Sequence, residues 1–370
     1  VQAASMINQS QRPVLYFGGG VASSGAGEEL HQLMEKAEIP AVHTLMAAGV
    51  LSYDDPMNLG LLGMHGSRTA NLAVDRADLV LAVGTRFSDR GAQDTKKFAP
   101  DAKIIQIDID QSEINKNVVV DLGLVGDIKQ VLTKLLPQIE QKQHTDWKQR
   151  IQAWQAEDYK PADDDTVLKP HQVIGKICEI AGDDSILVTD VGQHQMWAIQ
   201  YCKRVKPNSF LTSGGLGTMG YGLGAAIGGQ FGCPDKRVVL VSGDGSFHMN
   251  LNELTTLASY NLPIVVLVMN NRVLGMVRQW QDLFYEKRYS ATVLDDGVDY
   301  VKLAEAMGAT GYRATTREAF NEALKAALAA KTPVVIDCVI GCDDKVWPMV
   351  APGADISTAF TGEDLVAVQS

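Results

Sequence analysis

Short apolar runs alternate with amphipathic stretches along the first half of the chain. Apolar runs of four or five residues predict buried strands, and apolar positions that recur with a period near 3.6 predict helices. The predicted strands are 14–17, 40–44, 79–83, 104–107 and 122–125, and the predicted helices are 27–37, 67–76 and 127–141. This order is typical of βαβ units, which build a parallel sheet with helices on both faces.

The second half repeats the alternation after a polar stretch. Strands are predicted at 185–189, 238–242, 264–269 and 334–339, and helices at 171–181 and 251–260. Residues 142–166 are rich in Gln, Lys and Asp and predict a linker with one helical stretch at 147–156. We therefore expect an α/β protein with two open parallel-sheet domains, at 1–141 and 167–346, and an irregular C-terminal tail at 347–370.

Composition narrows the classes of partner. The 370 residues carry a formal net charge of −11, which argues against a nucleic-acid partner because phosphate backbones recruit basic surfaces. No apolar run approaches the ~20 residues of a membrane span, and no signal segment is recognisable. The five cysteines, an odd number without a CxxC pair, fit a reducing compartment better than a disulfide framework. We therefore expect a cytoplasmic protein that binds neither nucleic acid nor membrane.

Two polar clusters each follow a predicted parallel strand. Gly243, Asp244 and Gly245 follow one strand, and Asn270 and Asn271 follow the next, with 24 residues between the clusters. Open α/β sheets bind ligands at the carboxyl ends of their strands, and carboxylate and amide oxygens are ligands that Mg²⁺ prefers. Glycines let the backbone approach a diphosphate, and a following helix offers free N–H groups. Each cluster alone would be an ordinary turn, but together they match the signature of thiamine-diphosphate enzymes.

A second interpretation of the same region is a dinucleotide site. Residues 215–220 fit the pattern GxGxxG before a helical stretch, and Asp244 follows the next strand. The strand before these glycines is short and polar, however, and the dinucleotide interpretation gives Asn270 and Asn271 no role. We therefore favour the diphosphate and Mg²⁺ interpretation.

Longer motifs in both halves resemble one family, the acetohydroxyacid (acetolactate) synthase large subunits. Its cofactor domain is similar to this chain in four segments: VGQHQMW at 191–197, SGGLGTMGYGLGAA at 213–226, SGDGSFHMNLNEL at 242–254 and NNRVLGMVRQWQDLFYEKRYS at 270–290. Its FAD-binding, Rossmann-like middle domain is similar in three: GMHGSRTAN at 63–71, VGTRFSDR at 83–90 and INKN at 114–117. The resemblance covers nearly the whole chain.

The resemblance implies which residues hold Mg²⁺ and thiamine diphosphate. The side chains of Asp244 and Asn271 and the main-chain carbonyl of Val273 would bind Mg²⁺. Met219 would lie beneath thiamine diphosphate and hold it in its reactive bent shape, which is an organising role. The full set that would line this cofactor is Gly192, Gln193, His194, Gly217, Met219, Gly243, Gly245, Ser246, Gly275 and Met276.

The resemblance also implies FAD, with a structural role because the condensation transfers no electrons to it. The residues that match the family's flavin contacts are Gly18, Thr44, Met64, His65, Gly84, Arg86, Arg90, Asp108, Gly126 and Asp127. Ser88 departs from the family's usual RFDDR motif, where an Asp stands at this position.

The implied reaction joins two 2-oxo acids in branched-chain amino acid biosynthesis. Pyruvate is decarboxylated on thiamine diphosphate, and the hydroxyethyl-enamine adds to a second pyruvate or to 2-oxobutyrate. Arg90 would bind the acceptor's carboxylate, and Trp280 would provide an apolar wall for the extra methylene of 2-oxobutyrate, a contact worth ~1–3 kcal/mol. The implied assembly is a homodimer or homotetramer, with a possible small regulatory subunit.

One part of the family's active site is not expected in this chain. The glutamate that activates the cofactor lies in an N-terminal domain that nothing here resembles, so we expect this chain by itself to be incomplete. Three alternatives stay open. They are another thiamine-diphosphate pyruvate oxidase or decarboxylase, a catabolic acetolactate synthase that needs no FAD, and a cofactor-binding piece without catalysis.

Overall fold

The computed structural model describes residues 1–164, 166–182, 184–203, 206–294 and 297–369. The chain forms two compact units. The first unit contains residues 1–160, 206–207 and 347–369, and the second contains the described residues within 161–203 and 208–346. The helical stretch of the predicted linker packs on the first unit, where the indole Nε1 of Trp147 donates to the carbonyl of Pro13 at 3.2 Å.

The secondary structure of the described residues alternates between strands and helices. The strands are β1 (Pro13–Phe17), β2 (Ala41–His43), β3 (Asn58–Leu61), β4 (Leu79–Val83), β5 (Lys103–Asp108), β6 (Leu122–Val125), β7 (Ile186–Thr189), β8 (Phe210–Leu211), β9 (Val238–Gly243), β10 (Val265–Asn270), β11 (Thr310–Ala314) and β12 (Val334–Val339). The first helices are α1 (Gln2–Gln9), α2 (Gly19–Ser24), α3 (Gly27–Ala37), α4 (Arg68–Asp75), α5 (Asp89–Ala92), α6 (Ile128–Leu135), α7 (Thr145–Ala156) and α8 (Pro170–Ala181).

The remaining helices belong mainly to the second unit. They are α9 (Gln193–Tyr201), α10 (Tyr221–Gly232), α11 (Asp244–Phe247), α12 (Leu254–Ser259), α13 (Gly275–Phe284), α14 (Tyr300–Ala306), α15 (Arg317–Ala329) and α16 (Gly362–Gln369). Short 3₁₀ helices lie at Leu45–Ala47, Gln111–Glu113, Leu136–Gln138, Leu251–Glu253 and Ile356–Thr358. In the described part of the chain, none of the helices combines the length and apolar character that a bilayer crossing requires.

The first unit is built on a parallel sheet with the strand order β3-β2-β1-β4-β5-β6. Both faces of β1 are buried: Val14 and Tyr16 pack on one side, and Leu15 and Phe17 on the other. Helices α4 and α7 cover the first side, and α2, α3 and α6 cover the second. The strand order reverses between β1 and β4, and open α/β sheets bind ligands at such a reversal.

The second unit contains a parallel sheet with the strand order β11-β12-β10-β9-β7-β8. Val188, Leu240 and Val266 lie on one face and pack against α10, α12 and α14. The alternate residues of these central strands are also buried, which is why their sequences are continuously apolar. The strand order reverses between β7 and β9. Strands β9 and β10 form the central pair of the sheet.

The predicted fold class, an α/β protein with two open parallel sheets, is confirmed. The predictions missed the edge strands β3 and β11, which are partly exposed and lack a continuous apolar run. The segment from Trp347 onward is also more regular than expected. It contains a 3₁₀ helix and α16, and Met349 and Phe360 exchange two backbone hydrogen bonds of 2.9 Å.

The expectation that the cysteines stay unpaired is wrong for one pair. Cys178 in α8 and Cys202 at the end of α9 form a disulfide, with Cα atoms 5.6 Å apart. The two helices pack together, and the rings of His171 and Tyr201 are 5.9 Å apart. This pairing depends on helix packing, which residues 24 positions apart in the sequence do not reveal. Cys233, Cys338 and Cys342 are free.

Candidate functional site

The two polar clusters of the second unit meet at the carboxyl edge of its sheet. Asp244 directly follows β9, and Asn271 directly follows β10, the neighbouring parallel strand. Gly243 lies opposite Met269 in this pairing. Asp244 is 3% exposed and Asn271 is 8% exposed, so both polar side chains are buried and water cannot replace the hydrogen bonds that they lose on folding.

A tight turn brings the third predicted Mg²⁺ ligand to the same place. The carboxylate of Asp244 accepts the backbone N–H of Gly245 at 2.9 Å and that of Arg272 at 2.6 Å. Arg272 has a left-handed backbone with φ +58°, and the amide oxygen of Asn271 accepts the N–H of Val273 at 3.1 Å. A carboxylate, an amide oxygen and a main-chain carbonyl are hard oxygen ligands, so this group fits a divalent cation such as Mg²⁺.

Glycines enclose the buried ring of His194 at the start of α9. A Cβ atom on Gly192 or on Gly243 would lie 2.9 Å from a ring atom of His194, so both positions need glycine for this packing. The ring is 4% exposed, and its Nε2 has no hydrogen-bond partner among the described residues. An unpartnered buried nitrogen costs free energy, and a ligand at this edge would satisfy it. The Ser246 hydroxyl accepts the N–H of Gly243 at 3.2 Å, which fixes the next turn.

Asp190 is a site residue that the sequence analysis missed. It directly follows β7 and is 1% exposed. Its carboxylate accepts three backbone N–H groups: those of Val191 at 2.8 Å, Gly220 at 2.9 Å and Gly222 at 3.0 Å. Burial raises the pKa of Asp190, and these hydrogen bonds oppose that shift. A single Asp after an apolar strand was the available signal.

These bonds fix the end of the glycine-rich loop that leads into α10. The loop contains Gly217, which has φ +63°, and the partly exposed Met219. Leu216, beside them, is 95% exposed. Asp190 therefore fixes the backbone directly after Met219, the residue predicted to lie beneath the cofactor.

Helix α13 carries the remaining predicted residues of the second unit. Gly275 is its first residue and packs against the side chains of Gln193 and Asn271. Met276 and Trp280 are partly buried on the same helix, and the Trp280 ring makes an edge contact with Phe284 at 6.0 Å.

The predicted flavin residues of the first unit follow the carboxyl ends of its strands. At the reversal between β1 and β4, the N–H of Gly18 donates to Val83 at 2.9 Å and that of Gly20 to Gly84 at 3.1 Å. A Cβ on Gly18 would lie 2.9 Å from the Cα of Thr85, so the two loops touch through their backbones. Gly84 itself has φ +60°.

The other predicted flavin residues extend along the same edge. Thr44 follows β2, Asp108 ends β5, and Gly126 follows β6 and donates to the carbonyl of Asp108 at 2.9 Å. Asp127 caps α6 by accepting the N–H of Gln130 at 2.9 Å. The hydroxyl of Thr44 is buried and has no hydrogen-bond partner among the described residues, which fits a group bound above it.

The loop after β3 contacts the turn that carries Arg90. The N–H of Met64 donates to the carbonyl of Arg90 at 2.9 Å, and the guanidinium lies 3.9 Å from the sulfur of Met64. The side chain of Arg90 is 63% exposed, and Arg86 is also exposed. Burial lowers the pKa of His65 to about 4, so this residue is neutral at physiological pH. Arg90 belongs to the first unit, whereas Trp280 belongs to the second.

The buried imidazole of His194 predicts a loss of stability in acid. Burial lowers its pKa to about 3, whereas an exposed histidine titrates near ~6.5. Between these values only the unfolded chain binds the proton, so the free energy of unfolding falls as pH drops from about 6.5 toward 3. At pH 5 this group should cost about 2 kcal/mol relative to pH 8.

Denaturant unfolding at the two pH values measures this loss. The variant His194→Gln should lose about 2 kcal/mol less than the unaltered chain between pH 8 and pH 5. Gln152→Asn, a change without a titratable group at an exposed position of α7, is the control and should keep the original pH dependence. An identical loss in the chain and in His194→Gln would contradict the assignment.

Two protein-family descriptions match the chain. Residues 1–135 match the central domain of thiamine pyrophosphate enzymes, and residues 190–338 match their C-terminal TPP-binding domain. The chain belongs to the thiamine pyrophosphate enzyme family. The Asp244 and Asn271 edge lies within the region that matches the TPP-binding domain.

Relatives of this thiamine pyrophosphate enzyme chain carry one activity in their names. This chain is 43% identical over 366 residues to a "Probable acetolactate synthase large subunit" of Methanocaldococcus jannaschii, and the match covers 96% of this chain and 62% of the relative. It is 43% identical over 371 residues to the "Acetolactate synthase large subunit" of Corynebacterium glutamicum, covering 96% and 59%. An "Acetolactate synthase" of Mycobacterium bovis is 44% identical over 366 residues, covering 95% and 59%. The chain thus spans about three fifths of the length of these curated relatives.

Proposed function

We propose that this chain is the middle and C-terminal part of an acetohydroxyacid synthase. The enzyme would decarboxylate pyruvate and join the two-carbon unit to a second pyruvate or to 2-oxobutyrate, giving 2-acetolactate or 2-aceto-2-hydroxybutyrate. The observation that carries the proposal is the buried sheet edge where Asp244 and Asn271 meet, in a chain similar to proteins named acetolactate synthase.

The residues of this edge have the chemistry to hold Mg²⁺ and a diphosphate. Asp244, Asn271 and the carbonyl of Val273 would bind the cation, whose charge would stabilise the diphosphate group. Thiamine diphosphate would supply, when bound, a nucleophilic carbon and a positively charged ring that accepts the electron pair left behind as CO₂ leaves a 2-oxo acid.

The chain's own residues contribute position and the exclusion of water. Asp190 fixes the loop that carries Met219, and Met219 would support the cofactor from below. His194 is neutral at physiological pH, so it offers a ring nitrogen to the ligand without adding a buried charge. Burial of Asp244, Asn271 and His194 keeps bulk water away from the cation edge.

Two side chains would select the acceptor. Trp280 offers an apolar wall that suits the extra methylene of 2-oxobutyrate, and such a contact is worth ~1–3 kcal/mol. Arg90 is exposed enough to reach a solute and would bind the acceptor's carboxylate with its guanidinium fork.

FAD is proposed as a structural cofactor of the first unit. The backbone contacts between Gly18 and Gly84, the buried hydroxyl of Thr44 and the capped start of α6 at Asp127 support a nucleotide at this carboxyl edge. Removing flavin from an assembled enzyme and finding activity lost would separate this proposal from a catabolic synthase that needs no FAD.

The assembly and location follow from the same proposal. The names of the relatives as large subunits support a small regulatory subunit as a partner. We propose a homodimer or homotetramer as the assembly of the large subunit itself. We propose the cytoplasm as its location.

Product analysis tests the function. The chain, assembled with the rest of the enzyme, is supplied with pyruvate and 2-oxobutyrate together with thiamine diphosphate, Mg²⁺ and FAD, and 2-aceto-2-hydroxybutyrate should predominate. Release of acetaldehyde or acetate without condensation would favour a decarboxylase or oxidase. No product from the assembled enzyme, with Mg²⁺-dependent binding of thiamine diphosphate, would mean that the chain is a cofactor-binding piece without catalysis.

A substitution of Trp280 tests the acceptor preference. In Trp280→Leu the ratio of acetohydroxybutyrate to acetolactate should fall by about 10-fold or more, because the wall for the extra methylene is lost. Trp154→Leu, in α7 of the first unit, is the control and should leave the ratio unchanged. An unchanged ratio in Trp280→Leu would remove this residue from acceptor selection.

A further inference from the structure

We propose that Gln279 is a positioning residue that sets the orientation of the Asn271 amide. It acts through Gln193, so that Asn271 turns its oxygen, and not its NH₂ group, toward the cation. The inference rests on the proposed function, because it takes Asn271 to be a ligand of Mg²⁺.

The backbone of Val346 fixes the orientation of the Gln279 amide. Gln279 lies on the buried face of α13 and is 2% exposed. Its Nε2 donates to the carbonyl of Val346 at 3.1 Å, and its Oε1 accepts the N–H of the same residue at 2.9 Å. A backbone N–H can only donate and a carbonyl can only accept, so Val346 determines which end of the Gln279 amide is the oxygen.

The oxygen of Gln279 in turn fixes the orientation of the Gln193 amide. Its Nε2 donates to Oε1 of Gln279 at 2.9 Å and to the carbonyl of Asp344 at 2.9 Å. Both hydrogens of the NH₂ group are therefore used. A reversed amide would place its oxygen against two acceptors, which is unfavourable in a buried site. The Oε1 of Gln193 consequently faces Asn271.

Asn271 is the last member of the series. Its Nδ2 lies 3.4 Å from Oε1 of Gln193, and its Oδ1 accepts the N–H of Val273 at 3.1 Å. An amide oxygen has two lone pairs, so Oδ1 keeps one for a cation after this bond. A reversed Asn271 would present a donor to the cation and remove a ligand. Residues that orient a metal ligand in this way typically change metal affinity by about 10–100-fold.

Two ion pairs hold the segment before Val346 in place, and Gly275 leaves space for the contact between Gln193 and Asn271. On α13, the guanidinium of Arg278 pairs with Asp343 at 2.9 Å, and Asp282 pairs with Lys345 at 3.0 Å, so the segment before Val346 is held on both sides. A Cβ on Gly275 would lie 2.8 Å from Nδ2 of Asn271 and equally close to the amide carbon of Gln193. Glycine at this position is what lets the two amides meet.

Titration with Mg²⁺ at a fixed, saturating concentration of thiamine diphosphate tests the inference. Cofactor binding is followed by intrinsic tryptophan fluorescence. In Gln279→Leu the Kd for Mg²⁺ should rise about 10–100-fold. The affinity for thiamine diphosphate extrapolated to saturating Mg²⁺ should change much less, because only the cation ligand is misoriented. Gln279→Glu keeps an oxygen that accepts from Gln193 and should fall between the unaltered chain and Gln279→Leu.

Gln281→Leu is the matched control on the same helix. Gln281 also bonds both backbone groups of one residue, donating to the carbonyl of Ser290 at 3.2 Å and accepting its N–H at 3.0 Å. Among the described contacts no hydrogen bond joins Gln281 to Gln193. The Kd of Gln281→Leu for Mg²⁺ should therefore match that of the unaltered chain. An equal loss in both leucine variants would assign the effect to α13 as a whole and overturn the inference.

The remaining outcomes are also decisive. An unchanged Kd for Mg²⁺ in Gln279→Leu would overturn the inference while the proposed function stands. Absence of Mg²⁺-dependent binding in the unaltered chain would overturn the proposed function, and the inference with it. If Gln279→Leu does not fold by circular dichroism, Gly275→Ala separates the same two amides from the other side. It should weaken Mg²⁺ binding, and unchanged binding would overturn the inference.

Discussion

Replacing Asp244 with asparagine is expected to weaken Mg²⁺ binding by at least about 100-fold, or roughly 2.7 kcal/mol. Asp244 supplies the one formal negative charge among the three proposed ligands, and a divalent cation prefers charged oxygens. Its carboxylate also accepts the N–H groups of Gly245 and Arg272. An amide has one oxygen, so one of these buried donors would face an NH₂ group and the turn toward Val273 would loosen.

Mg²⁺-dependent binding of thiamine diphosphate measures the effect by calorimetry. The control is Asp235→Asn, an exposed carboxylate in the turn before β9, which should bind Mg²⁺ as the unaltered chain does. Because one buried N–H loses its acceptor in Asp244→Asn, the midpoint of thermal unfolding without cofactor should also fall, and binding is compared at a temperature well below both midpoints. Retention of normal Mg²⁺ affinity in Asp244→Asn would rule out this sheet edge as the cation site.

Replacing Asp190 with alanine is expected to lower the free energy of unfolding by about 3 kcal/mol or more. Asp190 is 1% exposed, and its carboxylate accepts the backbone N–H groups of Val191, Gly220 and Gly222. All three N–H groups would lose this acceptor in the variant. Each buried donor left without a partner costs about 1–3 kcal/mol. The loop that carries Met219 would lose its attachment to β7, so cofactor binding should weaken as well.

Denaturant unfolding of the second unit measures the stability loss. Asp110→Ala in the first unit is the control, because this exposed carboxylate accepts the N–H of Ser112 at a surface turn. It should change stability by about 0.5 kcal/mol or less. A change of that size in Asp190→Ala would mean that the three N–H groups find other acceptors, and the loop would not depend on Asp190.

The sequence predicts the central strands and the cation edge because each leaves a local signal. Strands buried on both faces are mostly apolar, as in β9 and β10, and GDG and NN begin at the last residues of these two strands. Edge strands such as β3 have one partly exposed end and no such run. Their place in the sheet is decided by pairing with β2, which is a tertiary contact.

The supporting residues of the site are hidden for the same reason. Gln279 and Gln193 are ordinary polar residues in the sequence, and their roles arise because α9, α13 and the segment before Trp347 converge. Asp190 acts on glycines 30 and 32 positions away. Such contacts depend on the three-dimensional course of the chain, and a motif of consecutive letters cannot express them.

The bond between Cys178 and Cys202 closes a covalent ring in the chain. The ring contains β7, Asp190 and the start of α9 with Gln193 and His194, so the segment that is proposed to line the cofactor is tethered at both ends. A protease cut inside the ring would leave the two pieces joined until a reductant opens it. The thiol content of the buffer is therefore a variable in any cofactor-binding experiment, and titrations of the variants need the same redox state as the unaltered chain.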